Sequence, residues 1–94
     1  MSDELQFEWD ENNLRHMLEE RPHGVTPALV DSLVNPKFYA NVGVGRSGSH
    51  MMIALDETGR FWTVIVLDKG GDVWRPITGW PSTGPQIQLY QETE

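Results

Sequence analysis

Three arginines in the second half of the chain are the residues best suited to phosphate chemistry. Arg75 lies in the last predicted strand, while Arg46 and Arg60 stand at strand ends beside turns. A guanidinium presents paired donors that match two phosphate oxygens, so an arginine can stabilise a reacting phosphate. Arg75 is the leading candidate for a catalytic cation, which Arg46 or Arg60 could assist. The alternative is a surface salt bridge for Arg75 and solvated turn positions for the other two.

His50 is the histidine best placed for acid–base chemistry, because it opens a predicted strand close to Arg46. Imidazoles titrate near neutral pH, so His16, His23 and His50 are the natural proton carriers of this sequence. We expect His16 to face solvent and His23 to order the loop between two helices. Thr78 could bind a phosphate oxygen through its hydroxyl group, although threonine is also a common strand residue that needs no function.

Trp74 and Trp80 are the aromatic candidates for a binding surface. Side chains alternate along a regular strand, so these two are expected to share one face. They could stack on nucleic-acid bases or receive a partner's helix, and the alternative is packing beneath the C-terminal helix. Nearer the N-terminus, Glu8 is a conceivable base, whereas an N-cap role explains Asp10 fully.

Several kinds of site are excluded by residue type. The chain has no cysteine, so it has neither a disulfide framework nor thiolate chemistry. Its histidines are scattered, and no H-E-x-x-H motif is present. Gly43-x-Gly45 and Gly70-Gly71 lack the strand–loop–helix context of a phosphate-binding loop. We therefore expect no metal and no cofactor.

The length and charge of the chain limit the classes of partner. With 94 residues, the chain is predicted to form a single domain over residues 1–94. It has 14 acidic and 7 basic side chains, a formal charge of −7, which repels a phosphate backbone at long range and suits a basic protein partner. No signal peptide or membrane-spanning segment is predicted, so we expect a cytoplasmic protein without a membrane partner that could form a homo-oligomer.

Hydrophobic periodicity and turn signals predict the element order β-α-α-β-β-β-β-α. Asp10, Thr26 and Thr83 have the types and positions of helix N-caps, and Gln86 completes a capping box with Thr83. The predicted strands cover residues 5–9, 37–44, 50–55, 60–67 and 72–79. The first predicted helix has one apolar stripe, formed by Leu14, Met17 and Leu18. Residues 61–67 are apolar on both faces, which predicts a central strand, and Pro76 places the last strand at an edge or a bulge. The predicted fold is α+β, with an antiparallel sheet of four to five strands.

Three motifs in this order resemble the BrnT family of bacterial toxins: Phe7-Glu8-Trp9-Asp10, His23-Gly24-Val25-Thr26 and Arg75-Pro76-Ile77-Thr78. Tyr90 stands at the place of the family's closing-helix tyrosine, and Gly59-Arg60 fits its central hairpin. The resemblance runs from about residue 7 to residue 90. It implies a RelE-like fold, in which a twisted antiparallel sheet follows two helices and precedes a third.

The same resemblance implies a toxin of a type II toxin–antitoxin system that cleaves RNA without a metal. It also implies neutralisation by a small DNA-binding antitoxin of the BrnA type, in a complex that represses its own operon. The sequence departs from the family at Trp80, where a second arginine is usual, and at Gln86, which stands near a usual glutamate.

Two hypotheses follow from the resemblance and the departures. The first is a metal-independent endoribonuclease in which Arg75 stabilises the phosphate. The second is a catalytically inactive relative that keeps the fold and binds a basic protein or regulator. The departures at Trp80 and Gln86 and the charge of −7 favour the second hypothesis. An unrelated small-molecule enzyme has no supporting group of residues.

Overall fold

The computed structural model describes residues 6–20, 23–40 and 49–93. These residues form an α+β fold in the predicted element order, and helix α1 continues directly into a π-helical segment, His16–Glu20. The elements are β1 (Gln6–Phe7), α1 (Glu11–Arg15), α2 (Pro27–Ser32), β2 (Val34–Ala40), β3 (Ser49–Leu55), β4 (Phe61–Gly70), β5 (Val73–Pro81) and α3 (Gly84–Glu92). Residues 41–48, which include Arg46 and most of the predicted turn before β3, lie outside the described residues.

The described strands form one sheet in the order β1-β5-β4-β3-β2. Neighbours from β2 to β5 are antiparallel, as predicted, but β1 runs parallel to β5, with Phe7 opposite Trp74. The expectation of a wholly antiparallel sheet is therefore corrected to a mixed sheet. The reason is that no hairpin joins β1 to β5, so nothing forces the two strands into opposite directions.

Strand β4 is the centre of the fold, as its composition predicts, because residues 62–66 are buried on both faces. One face carries the core cluster of Met17, Val25, Val30, Met52, Trp62, Val64 and Val66. The sheet is curled around this cluster, since Phe38 of β2 stacks on Trp74 of β5 with ring centroids 4.4 Å apart. On the opposite face, Thr63 is fully buried and donates a hydrogen bond to Gln86 of α3.

A β-bulge at Ile77 confirms the predicted irregularity at Pro76. Val66 pairs with Pro76 and Ile65 pairs with Thr78, which leaves Ile77 without an opposite residue on β4. One extra residue in a strand reverses the alternation of side chains beyond it. The side chains of β5 therefore change faces at this point.

The bulge separates the two tryptophans of β5. Trp74 packs against the core cluster, whereas Trp80 lies opposite Thr63 and donates a hydrogen bond to Gln86 on the other face of the sheet. The expectation that Trp74 and Trp80 share a face is therefore wrong. Period-two counting fails because Ile77 adds a residue between them.

Asn13 sets the inward face of α1. Asn13 and Met17 are four positions apart and point to the same side, with exposed fractions of 5% and 2%. Leu14 is only half-buried, and Leu18 is 46% exposed. The predicted stripe that included Leu18 is wrong because a hydrogen-bonded polar side chain takes the inward position and turns Leu18 outward.

Candidate functional site

Arg75 lies in an intramolecular ion pair at what we call the amino-terminal corner, which consists of Glu8, Asp10, Asn13 and Arg75. Its Nη1 lies 2.8 Å from Asp10 Oδ2 and its Nη2 lies 3.0 Å from Asp10 Oδ1, so the contact is bidentate. Nη1 also lies 3.3 Å from Glu8 Oε1. The Arg75 side chain is 20% exposed, against 43% for Glu8 and 48% for Asp10. The guanidinium is thus held by two carboxylates.

The parallel pairing of β1 with β5 builds this corner. The backbone N–H of Glu8 donates to the carbonyl oxygen of Trp74 at 2.9 Å, which carries the chain beyond β1 along the strand of Arg75. Asn13 closes the corner, because its Nδ2 donates to the carbonyl oxygens of Glu8 and Pro76 at 3.0 and 2.9 Å. The opening motif and the final strand are therefore tied together by both charge and backbone hydrogen bonds.

Asp10 serves both as the predicted N-cap of α1 and as the partner of Arg75. Its Oδ1 accepts from the backbone N–H groups of Asn12 and Asn13 at 2.9 and 3.2 Å. The hydrogen bond from Arg75, followed by that from the backbone of Asn13, lowers the pKa of Asp10 from 3.8 to about 2. The same contact raises the pKa of Arg75. Asp10 and Arg75 are therefore both charged at neutral pH.

A hollow of about 260 Å³ opens beside the guanidinium, between α1 and the β5 bulge. His16 stands at its rim, at the start of the π-helical segment, with Nδ1 3.2 Å from Glu20 Oε1. Both π-helical turns and β-bulges are frequent at functional sites. A ligand could therefore reach Arg75 through this hollow. The hollow is lined by Asn12, Asn13, His16, Leu67, Arg75, Pro76 and Ile77.

Arg60 stands far from Arg75, so the expectation that it assists Arg75 is corrected. Arg60 immediately precedes β4, whereas Arg75 pairs with Leu67, seven positions further along the strand. At about 3.3 Å per residue, roughly 20 Å separate the two arginines. The guanidinium of Arg60 instead lies 4.7 Å from the ring centroid of Trp62. The two cations cannot hold one phosphate.

His50 lies on the opposite face of the sheet from Arg75, whereas Thr78 lies on the same face. His50 pairs with Val66, on the core face, and makes an edge-to-face contact with Trp74 at 5.3 Å. Arg75 pairs with Leu67, one residue along, and so points to the opposite face. Thr78 is half-buried beyond the bulge and pairs with Ile65, two residues from Leu67, so it shares the face of Arg75. The structure therefore groups Trp74 with His50 and leaves Arg75 with acidic neighbours.

Trp80 serves the attachment of α3. The carboxamide Oε1 of Gln86 accepts from Trp80 Nε1 at 3.2 Å, from Thr63 Oγ1 at 2.9 Å and from the backbone N–H of Thr83 at 2.9 Å. The last contact belongs to the predicted capping box. Trp80 thus takes the packing role beneath α3 that was the alternative to a binding role.

The hairpin loop, which we define as Asp56–Arg60, is organised by the carboxylate of Asp56. Oδ1 accepts from Thr58 N at 2.8 Å, from Thr58 Oγ1 at 2.7 Å and from Arg60 N at 2.9 Å. Oδ2 accepts from Trp62 Nε1 at 2.8 Å. These bonds, the one from Trp62 foremost, hold the pKa of Asp56 well below its usual value.

The sequence interpretation missed the inward role of Asn13. The available signal was its position three residues after the N-cap Asp10, where its Oδ1 accepts from the Asp10 backbone N–H at 2.8 Å in a capping box. An Asn at that position resembles the Glu or Gln of the usual box. Its two bonds across the corner have no sequence signal, because Pro76 O is 63 residues away.

The described residues offer neither a cluster of metal ligands nor a helix that could span a membrane. Within residues 6–20, 23–40 and 49–93, no group of three or more His, Asp or Glu side chains could hold a metal ion. Over the same ranges, no helix has the length and apolar character needed to cross a membrane.

Comparison of the chain with protein-family models, with curated proteins and with solved structures finds no match.

Proposed function

We propose that the chain is a catalytically inactive, BrnT-like protein that binds a basic protein partner through its acidic surface. One observation carries this proposal: Arg75, the cation on which RNA cleavage would depend, is held by Asp10 and Glu8. Two carboxylates against one guanidinium give the corner a net negative charge. A phosphate that approached Arg75 would meet that charge, whereas a partner's lysine or arginine would be attracted by it.

Two further cations of the described residues are also engaged within the molecule. Lys37 Nζ donates to the carbonyl oxygens of Tyr90 and Thr93 at the end of α3 and lies 4.3 Å from the Tyr90 ring centroid. Arg60 lies over the ring of Trp62. With Arg75, three of the five basic side chains among the described residues thus have a partner within the molecule, and the whole chain has 7 basic against 14 acidic side chains. This excess of acidic over basic side chains favours a cationic partner over RNA.

The proposal includes the layout and the partner that the family resemblance implies. The chain would have a RelE-like arrangement of its α+β elements, and its partner would be a small DNA-binding antitoxin of the BrnA type in the cytoplasm. A DNA-binding protein carries a basic face, because it must neutralise phosphates. Such a face complements a chain of formal charge −7.

A metal-independent endoribonuclease is the second candidate, and the hollow beside Arg75 favours it. RNA cleavage through the 2′-hydroxyl needs a base as well as a cation. His16 lies on the rim of the same hollow as Arg75, and Glu20 lies within 3.2 Å of its ring. In this candidate, His16 would move the proton and Arg75 would leave its carboxylates to hold the phosphate.

Growth and binding measurements distinguish the two candidates. The chain, Arg75→Ala and His16→Ala are induced separately in a bacterium at matched protein levels, and growth and total RNA integrity are followed. We expect no growth arrest and intact RNA for all three. Fluorescence anisotropy of the purified chain should then show binding of a labelled lysine-rich peptide and no binding of a labelled single-stranded RNA. Growth arrest by the wild type that both variants lose would establish the nuclease instead.

A further inference from the structure

A second hollow, of about 320 Å³, lies between α2 and the hairpin loop, at the opposite end of β4 from the amino-terminal corner. None of the residues that line it is a lysine or an arginine; they are Ala28, Leu29, Ser32, Asp56, Glu57 and Thr58. It is therefore a separate surface from the hollow that contains Arg75.

The charge around this second hollow is negative because two carboxylates border it. Asp56 is fixed in place by donors from Thr58, Arg60 and Trp62, and the neighbouring Glu57 is exposed. A cation in the hollow would be attracted by both, without having to displace an existing partner cation from its lining.

The α2 side of the hollow is apolar. Ala28 is exposed and Leu29 is half-buried, and both line the hollow opposite the loop. Long basic side chains bury their methylene stems on apolar surface while the charged head remains among polar groups. An apolar wall beside an acidic rim is the surface that such a side chain needs, and neither a phosphate nor an acidic peptide would gain from it.

We propose that this second hollow receives a lysine or arginine side chain of a basic protein partner. The stem lies on Ala28 and Leu29, and the charged head lies against Glu57. This inference rests on the proposed function for the nature of the partner, and it adds the place where that partner is held.

The test uses the full chain and a defined probe, an acetylated and amidated peptide of alternating alanine and lysine. Nitrogen-15 NMR titration should give the largest amide shifts at residues 28–32 and 56–58. Glu57→Lys should weaken peptide binding about fivefold, the value of roughly 1 kcal/mol expected for exposed charge contacts. Glu19→Lys changes the net charge equally at an exposed site on the π-helical segment and should weaken binding less than about twofold.

A second variant guards against misfolding of Glu57→Lys. Glu57→Gln removes the charge with little change of shape and should weaken binding about twofold while the remaining amide spectrum stays as in the wild type. Peptide binding with shifts elsewhere, or equal losses for Glu57→Lys and Glu19→Lys, would overturn the proposed hollow and leave the proposed function standing. The absence of any peptide binding by the wild-type chain would overturn both.

Discussion

The amino-terminal corner and the hairpin loop are each built around an aspartate that closes a turn. Asp10 accepts from the backbone N–H two residues later, at Asn12, and Asp56 accepts from the backbone N–H two residues later, at Thr58. Hydrogen bonds to the charged form lower the pKa of both carboxyl groups. Locally, the two regions therefore share one arrangement, an aspartate carboxylate that accepts hydrogen bonds from backbone N–H groups a few residues later.

The two regions differ in the side chain that donates the remaining hydrogen bonds to the aspartate carboxylate. Asp10 takes a cationic guanidinium from Arg75, 65 residues away, whereas Asp56 takes a neutral indole N–H from Trp62, six residues away. The hairpin loop can therefore form as soon as its own strands pair. The corner forms only when β1 has docked on β5, and its contacts are open to salt and to competing charges.

The largest effect that separates the two regions is expected from Asn13→Ala. This change removes the donor to two carbonyl oxygens, of which Pro76 O is buried, and the acceptor for Asp10 N–H. Unsatisfied buried polar groups cost about 1–3 kcal/mol each, so we expect a loss of about 3 kcal/mol in the free energy of unfolding, measured by urea denaturation.

Asn12→Ala is the matched control, because Asn12 is the same residue type one position earlier and is exposed. It should change the free energy of unfolding by less than about 0.5 kcal/mol. If Asn13→Ala were as mild as Asn12→Ala, the corner would not depend on its buried carboxamide, and the contrast with the self-contained hairpin loop would lose its basis.

The features that the sequence predicts correctly are those decided within a few residues. Asp10 and Thr83 are N-caps as expected, and Gly59 sits in the hairpin loop with φ of +87°, a conformation that glycine adopts without strain. The burial of β4 on both faces also follows from its apolar run, in which Thr63 is the one polar residue between Phe61 and Leu67. Each of these features is determined by residues that are close together in the sequence.

The features that escape the sequence are those that depend on distant partners. Arg75 was correctly expected on the last strand, but its pairing with Asp10 requires the parallel docking of β1, which has no local signal. The face of Trp80 depends on whether β5 contains a bulge, and a single extra residue at Ile77 reverses it. Candidate residues can therefore be named from the sequence, whereas their grouping into a site cannot.

Trp62→Phe tests whether the hairpin loop depends on its neutral donor. The change keeps an aromatic ring but removes the N–H that Asp56 accepts and part of a side chain that is only 6% exposed. We expect a loss of about 1–2 kcal/mol in the free energy of unfolding. The pKa of Asp56 should also rise toward its usual value, which carbon-13 NMR of the carboxyl group measures.

Trp9→Phe is the matching change in the Phe7-Glu8-Trp9-Asp10 motif, which contributes Glu8 and Asp10 to the amino-terminal corner. The indole Nε1 of Trp9 is buried and has no acceptor among the residues that the structure describes. Removing that N–H also removes an unsatisfied group, so the loss should be smaller than for Trp62→Phe. Equal losses for the two variants would mean that ring volume dominates and that the bond to Asp56 contributes little.

The smallest effect, and the most specific to the corner, is expected from Arg75→Gln as pH and salt are varied. Because its folded pKa is about 2 against a usual 3.8, Asp10 contributes stability that is present above pH 3.8 and is lost as the pH falls toward 2. Asp56 behaves in the same direction, since its pKa is also lowered. In Arg75→Gln the pKa of Asp10 should rise toward 3.8 while that of Asp56 stays low. The variant should therefore lose only that part of the acid-dependent change in unfolding free energy that Asp10 contributes.

High salt should reproduce part of the Arg75→Gln result without a mutation. It screens the partly exposed guanidinium–carboxylate pair and leaves the neutral indole bond of Asp56 largely unaffected. Carboxyl titrations of the wild type at low and high ionic strength measure the shift for each aspartate separately. If both pKa values moved together with salt, Asp56 would also be held by a charge. If neither moved with salt or in Arg75→Gln, the backbone N–H groups alone would hold Asp10, and Arg75 would be available to a phosphate after all.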